Sequence, residues 1–159
     1  MSAFIGVDLG TTFSVLATID ETGRPVIVHD GDGENILPSC VAKGNEGQIL
    51  VGEFARRTWG VTPERAAARF KRDMGSDKSF QIDDDSFSPT ELSALVLRKL
   101  LDSAKRSLGN VGEAVVTIPA NFSSDAREAT MSAAKSAGLD VNYIINEPTA
   151  AALYYAFKS

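Results

Sequence analysis

Phe4-Ile5-Gly6-Val7-Asp8-Leu9-Gly10-Thr11-Thr12-Phe13-Ser14 is the stretch on which the fold of this chain turns. Apolar side chains at Phe4, Ile5, Val7 and Leu9 suit a strand buried on both faces, as in a sheet covered by helices. Such a strand delivers Asp8 to its carboxyl end. Gly6 admits close approach to the strand, and Gly10 opens a turn with a backbone conformation that a Cβ disfavours. Thr11 and Thr12 form the tip of that turn. A carboxylate beside backbone N–H groups and two hydroxyls is how a protein receives phosphate oxygens and a metal ion. The same residues also read as a buried strand and an ordinary hairpin turn in which Asp8 accepts turn hydrogen bonds. The choice between these readings falls to the rest of the chain.

Downstream, Ser14 to Ile19 reads as a second strand, Asp20-Glu21-Thr22-Gly23-Arg24-Pro25 as a turn, and Val26-Ile27-Val28 as a third strand. Strands joined by such short turns make an antiparallel meander. Asp30-Gly31-Asp32-Gly33-Glu34-Asn35 leads out of the sheet and lacks the spacing of a calcium-binding EF-hand loop. Residues 36–110 have a different texture. Ser39-Cys40-Val41-Ala42 and Gln48-Ile49-Leu50-Val51 are short strand candidates around the turn Gly44-Asn45-Glu46-Gly47, and Glu53-Phe54-Ala55-Arg56-Arg57 is a short helix after Gly52. The basic segment Arg65-Ala66-Ala67-Ala68-Arg69-Phe70-Lys71-Arg72 is either a solvated charged face or the source of a cation that reaches back to a phosphate. Composition does not choose.

Asp83-Asp84-Asp85 is an acidic turn, after which Ser88-Pro89-Thr90-Glu91 forms a capping box with proline at the first helical position. Leu92, Leu95, Val96, Leu100 and Leu108 give the following helix an apolar stripe, and Gly109 ends it. From there strand and helix alternate. Ala114-Val115-Val116-Thr117-Ile118 is a buried strand stopped by Pro119, and Ser123-Ser124-Asp125 opens a helix through Ala137 that Gly138 ends. Val141-Asn142-Tyr143-Ile144-Ile145 is a further strand, and Glu147-Pro148-Thr149 opens a last helix. A meander followed by β-α-β-α is a mixed sheet with helices on its faces, and such sheets bind ligands outside the carboxyl ends of their strands. Asp8, Pro119 and Glu147 all lie at carboxyl ends, so they can converge on one crevice.

Composition bounds the function classes. The 159 residues are 43% hydrophobic and 23% charged, the balance of a soluble globular protein. A net charge of −5 argues against an electrostatic grip on nucleic acid or anionic membrane. No run of eighteen apolar residues and no signal-peptide pattern is present, and the single cysteine, Cys40, fits a reducing compartment; the cytoplasm is the expected location. His29, beside a turn, reads as a solvated side chain. No P-loop, zinc spacing or catalytic Cys/His pair occurs.

Three stretches, in this order and spacing, carry a resemblance: Ile5-Gly6-Val7-Asp8-Leu9-Gly10-Thr11-Thr12, Val116-Thr117-Ile118-Pro119-Ala120-Asn121-Phe122, and Ile145-Asn146-Glu147-Pro148-Thr149-Ala150-Ala151-Ala152. Together they resemble the Hsp70 chaperone family of actin-like ATPases, the first as its first phosphate loop and the others as its first connecting region. The resemblance runs from residue 4 to the end. It implies an α/β fold of the actin-like, ribonuclease H-like kind: a mixed five-stranded sheet with flanking helices and a small α+β insert. Residues 1–35 and 111–159 would form the first-lobe core and 36–110 the peripheral insert. It further implies ATP and ADP as ligands with Mg²⁺, and ATP hydrolysis that drives cycles of unfolded-peptide binding with a J-domain co-chaperone and a nucleotide-exchange factor.

Carried over by residue, Asp8 and Glu147 would hold the Mg²⁺ hydration shell through water, and Gly10, Thr11, Thr12 and Phe13 would contact phosphates. Phe70-Lys71-Arg72 followed by Gly75 is similar to the family stretch in which the lysine points into the phosphate site, so Lys71 joins Asp8 and Glu147 as catalytic and Arg72 becomes a structural ion-pair partner. A fixed ammonium suits phosphoryl transfer, which spreads negative charge over equatorial oxygens. Pro119 and Arg127 correspond to the pair that relays nucleotide state. Phe13 departs from the tyrosine or asparagine common at its position, and Asn121 from a common tyrosine. The short stretch from Gly75 to Ser86, with Phe70-Lys71-Arg72-Asp73-Met74-Gly75-Ser76, looks like a specialised bacterial subgroup of the HscC type.

Within the resemblance, a chain ending at Ser159 would lack the second phosphate loop, the adenosine-binding segment, the second lobe and the peptide-binding domain. The expectation is an N-terminal piece inert by itself, with an exposed sheet edge prone to self-association. Two other readings compete. One is a non-enzymatic interaction module using the surface around an exposed Trp59 with Arg56 and Arg57. The other is a sugar or acetate kinase of the same fold, against which the Glu-Pro-Thr-Ala-Ala-Ala run argues.

Overall fold

A computed structural model describes residues 3–19, 25–27, 37–119 and 121–146. Its main sheet is built as the apolar runs require. Strand β1 (Ala3–Asp8) lies at the centre, with β2 (Phe13–Ile19) antiparallel on one side and β3 (Pro25–Ile27) antiparallel beyond it. On the other side β1 pairs in parallel with β10 (Val111–Ile118), which pairs in parallel with β11 (Asp140–Asn146). The order β11-β10-β1-β2-β3 is a five-stranded mixed sheet, consistent with the actin-like ATPase fold. Strand β4 (Leu37–Pro38) adds a short antiparallel pairing to the start of β2, opposite Phe13 and Ser14. Ile5, Val7, Leu16, Ala114 and Val116 are all buried, because helices cover the sheet.

The 36–110 range contains more strand than periodicity reveals. β5 (Cys40–Lys43) pairs with β6 (Ile49–Val51) around the expected turn, and also with β7 (Ala66–Ala68). β8 (Phe80–Ile82) and β9 (Asp85–Phe87) form a hairpin across the acidic turn, where Asp83 takes a left-handed φ of 53°. The helix after Gly52, α1 (Glu53–Val61), runs past the five residues expected.

The basic segment is not one element: Arg65 ends a 3₁₀ turn, Ala66–Ala68 is β7, and Phe70–Asp73 is a second 3₁₀ turn. Arg65 spans to Asp83 at 3.2 Å and to the Gly44 carbonyl at 3.0 Å. Arg72, expected to hold an ion pair, is exposed and has no ion-pair partner among the described residues. A 3₁₀ turn of four residues directs only part of its surface inward, and here that part is Phe70 and Lys71.

Helix α2 (Pro89–Leu108) starts with the full capping box, the Ser88 Oγ accepting from the Glu91 N–H at 3.0 Å while the Glu91 Oε1 accepts from the Ser88 N–H at 3.0 Å. Gly109 caps its end. α2 packs against α3 (Ser124–Ser136), and it also touches β2, β5 and β10. Its buried face includes Leu92, Val96, Leu97, Leu100 and Leu101, wider than a heptad seam. One core cluster therefore joins the main sheet to the 36–110 range: Ile5, Val7 and Val116 share it with Phe70, Ile82 and Leu92. A satellite of Cys40, Ala42, Ala55 and Ala66 lies under α1, with Trp59 packed on it. The expected last helix from Glu147 lies outside the described residues.

Candidate functional site at the carboxyl end of the sheet

Asp8 is the last residue of β1, and its carboxylate is exposed at the sheet's carboxyl edge. Parallel register sets Thr117 of β10 opposite it. The Thr117 Oγ1 lies 3.1 Å from Asp8 Oδ1 and 3.4 Å from the Val7 carbonyl. With one proton to give, the hydroxyl favours the nearer, charged acceptor. Asp8 is thus oriented from the neighbouring strand and remains exposed at the sheet's carboxyl edge. Sequence reading quoted Thr117 but gave it no role, because its meaning depends on which strand pairs with which.

The turn after β1 is stitched shut. The Gly10 N–H donates to Ser14 Oγ at 3.2 Å, Ser14 Oγ contacts Ser39 Oγ at 2.8 Å, and the Ser39 N–H donates to the Thr12 carbonyl at 2.9 Å. Ser14 and Ser39 are buried, so these bonds form where unmade ones would be costly. Gly10 is required by close approach and not, as expected, by an unusual backbone angle. Its φ is not in the left-handed region, but a Cβ there would lie 1.9 Å from the Phe13 carbonyl oxygen. Thr11 is half-buried and Thr12 exposed, and among the described residues neither hydroxyl has a hydrogen-bond partner. Phe13 begins β2 with the Arg56 guanidinium 5.9 Å from its ring centroid, so its backbone is what it can offer a phosphate. A pocket of about 60 Å³ opens beside the loop, bordered by Thr11, Thr12, Pro38, Arg56, Trp59 and Arg69.

Lys71 is only 7% exposed, an unusual state for an ammonium group. Arg69, in a left-handed conformation with φ 58°, turns the chain into the 3₁₀ segment, and Phe70 inserts into the core edge-on to Phe80, centroids 6.3 Å apart. Beyond Lys71, the buried Ser93 hydroxyl donates to the Met74 sulfur at 3.3 Å. Gly75 then presses on the first turn of α3, where a Cβ would come within 2.7 Å of Ala126 N, and its φ is 84°. Pinned at three points, the segment carries the Lys71 ammonium 5.6 Å from the centroid of the Phe122 ring. Phe122 follows the end of β10, its N–H donating to the Pro119 carbonyl at 3.2 Å. Lys71 and Asp8 are in this way both referred to the end of β10, although residues 8 and 71 belong to distant segments.

Pro119 directly follows β10, and Arg127 is an exposed residue of α3 whose N–H donates to the Ser123 carbonyl at 3.0 Å. Glu147 lies outside the described residues. Trp59 is not the exposed aromatic anticipated. It is half-buried on the satellite cluster with the Arg69 guanidinium 5.2 Å from its ring centroid, and the open apolar side chains of α1 are Phe54 and Val61. Cys40 is buried, and burial raises its thiol pKa from 9.0 to about 11, with a Val41 backbone hydrogen bond and Arg56 pulling the other way. It is held as a thiol and does not serve as a nucleophile at neutral pH.

Among the described residues no group of three or more His, Cys, Asp or Glu side chains is placed to hold a metal ion, and no helix is long and apolar enough to cross a membrane. One oriented, exposed carboxylate, that of Asp8, is a donor that suits a small ion retaining its hydration. A family model described as "Hsp70 protein" matches residues 4–83 and 77–159.

Proposed function

The chain belongs to the Hsp70 family, and on that premise we propose that the crevice at the carboxyl ends of β1 and β10 is the phosphate end of an ATP site. The observation that carries this reading is the convergence on one strand end: Thr117 holds Asp8, and Phe122 lies against Lys71. The hydroxyls of Thr11 and Thr12, which have no hydrogen-bond partner among the described residues, and the backbone of Phe13 receive phosphate oxygens. Asp8, with Glu147, holds waters of the Mg²⁺ ion, which when bound neutralises phosphate charge. Lys71 supplies a fixed positive charge where negative charge grows on the transferred phosphoryl group, and its burial strengthens that effect.

In this reading residues 1–35 with 111–159 form a first-lobe core, 36–110 a peripheral insert, and a facing lobe completes the nucleotide site. Pro119 and Arg127 flank the turn that carries Phe122, a position suited to relaying nucleotide state. The full-length protein acts in the cytoplasm as an ATP-hydrolysing chaperone of the HscC-like subgroup. It binds unfolded peptides, with a J-domain protein and an exchange factor as partners. β11, at the edge of the described sheet, is where self-association of the chain would occur.

The test is Mg²⁺-dependent ATP binding by calorimetry on the full-length protein. Asp8→Asn should weaken Mg·ATP binding by about tenfold or more while leaving metal-free ATP binding nearly unchanged, as loss of one charge-assisted contact implies. Equal Mg²⁺ dependence in wild type and variant would remove Asp8 from the site.

A further inference from the structure

We propose that Phe122 is a positioning residue for Lys71, its ring face holding the ammonium at the carboxyl end of β10. The inference rests on the reading of Lys71 as part of the phosphate site and extends it to a residue with no assigned role. The ammonium lies 5.6 Å from the ring centroid, within the range where a cation is attracted to the negative face of an aromatic quadrupole. That attraction grows where water is excluded, and Lys71 is 7% exposed.

The ring itself cannot drift. Phe122 packs against the main core, the Pro119 carbonyl closes the turn in front of it, and the N-cap Ser123 accepts from the Ala126 N–H at 3.1 Å directly behind it. The lysine segment is fixed against the same helix start, since Gly75 leaves no room for a Cβ at Ala126 and Asp125. Cation and ring are thus registered to one structural reference, the first turn of α3. A lysine ammonium on a flexible four-carbon stem benefits from such a partner, which restricts the positions available to it without neutralising its charge.

The test compares ring-losing and ring-keeping variants in the full-length protein under single-turnover conditions with ATP. Phe122→Leu should slow hydrolysis about three- to thirtyfold at saturating ATP, with the KM for ATP unchanged within about twofold. Phe122→Tyr should stay within about twofold of wild type, and thermal melting should be similar for the two variants. If Phe122→Leu does not fold, Phe122→Met replaces it. Equal rates for Phe122→Leu and wild type, with Lys71→Ala inactive, would overturn the positioning role and leave the phosphate-site reading standing. Equal slowing in the Leu and Tyr variants would also overturn it, since packing and not the π face would then be responsible. Wild-type turnover in Lys71→Ala would overturn both. Independently of turnover, the Lys71 ε-methylene protons should be shifted upfield by the ring current, a shift that persists in Phe122→Tyr and disappears in Phe122→Leu. Unshifted protons in wild type would refute the contact.

Discussion

Asp8 has its geometry decided by a residue 109 positions away. Thr117 can donate its one proton because parallel pairing of β10 with β1 brings the hydroxyl to 3.1 Å from Asp8 Oδ1. Thr117→Val keeps the shape and the β-branched fit to a strand but removes the donor. Loss of a single hydrogen bond of this kind should weaken Mg·ATP binding about three- to tenfold with little change in melting temperature, whereas Thr117→Ser should restore most of it. Calorimetric titration of the three proteins decides the matter, and indistinguishable affinities would remove Thr117 from the site. Cys40 makes a different residue-scale prediction. Its thiol pKa in the folded state is raised above the ordinary 9.0 to about 11 by burial, so the folded protein prefers the protonated form. The associated stability is fully present below pH 9 and is lost as the pH climbs through about 11, amounting to about 2–3 kcal/mol. Urea unfolding between pH 8 and 11 should therefore show a loss in wild type that is smaller by about that amount in Cys40→Ala. Parallel pH profiles would contradict it.

At the scale of elements, the segment from Phe70 to Gly75 sets the lysine, and α3 sets the segment. Gly75 combines a φ of 84° with a missing Cβ that would lie 2.7 Å from the Ala126 nitrogen and from the Asp125 carbonyl carbon. Those neighbours are backbone atoms of a helix start and cannot rotate aside. Gly75→Ala should destabilise the protein by about 1–3 kcal/mol and should also slow ATP turnover at temperatures where the variant is still folded, because the Lys71 segment must lift from α3. A variant as stable and as active as wild type would show that the contact does not place Lys71. The same scale shows what a sequence can and cannot convey. The capping box at Ser88, the end of α2 at Gly109 and the meander from β1 to β3 were legible, since each rests on local chemistry within a few residues. β7, β8 and β9 were not, being three residues each, and Ala66-Ala67-Ala68 has no strand propensity apart from its pairing with β5. Trp59 was misread as exposed because nothing local announces that Arg69, ten residues on, covers its ring.

For the whole molecule, the candidate site was legible as a list of residues but not as a mechanism of placement. Asp8, the threonine tip and Lys71 could be named from the motifs. That Lys71 is buried, that Phe122 lies against it and that Thr117 grips Asp8 required the register of β1 with β10 and the docking of the 36–110 range onto α3. One continuous core runs from the main sheet into that range, so the two walls of the crevice are rigidly related. The central claim is that this rigid frame presents a positive charge to a reacting phosphate. It is tested most directly by single-turnover hydrolysis of γ-labelled ATP by the full-length protein and its Lys71→Ala variant. The account predicts that the variant still binds ATP within about threefold of wild type but hydrolyses it at least about a hundredfold more slowly, the usual cost of losing a charge that acts mainly on the transition state. Hydrolysis by Lys71→Ala at the wild-type rate would contradict it.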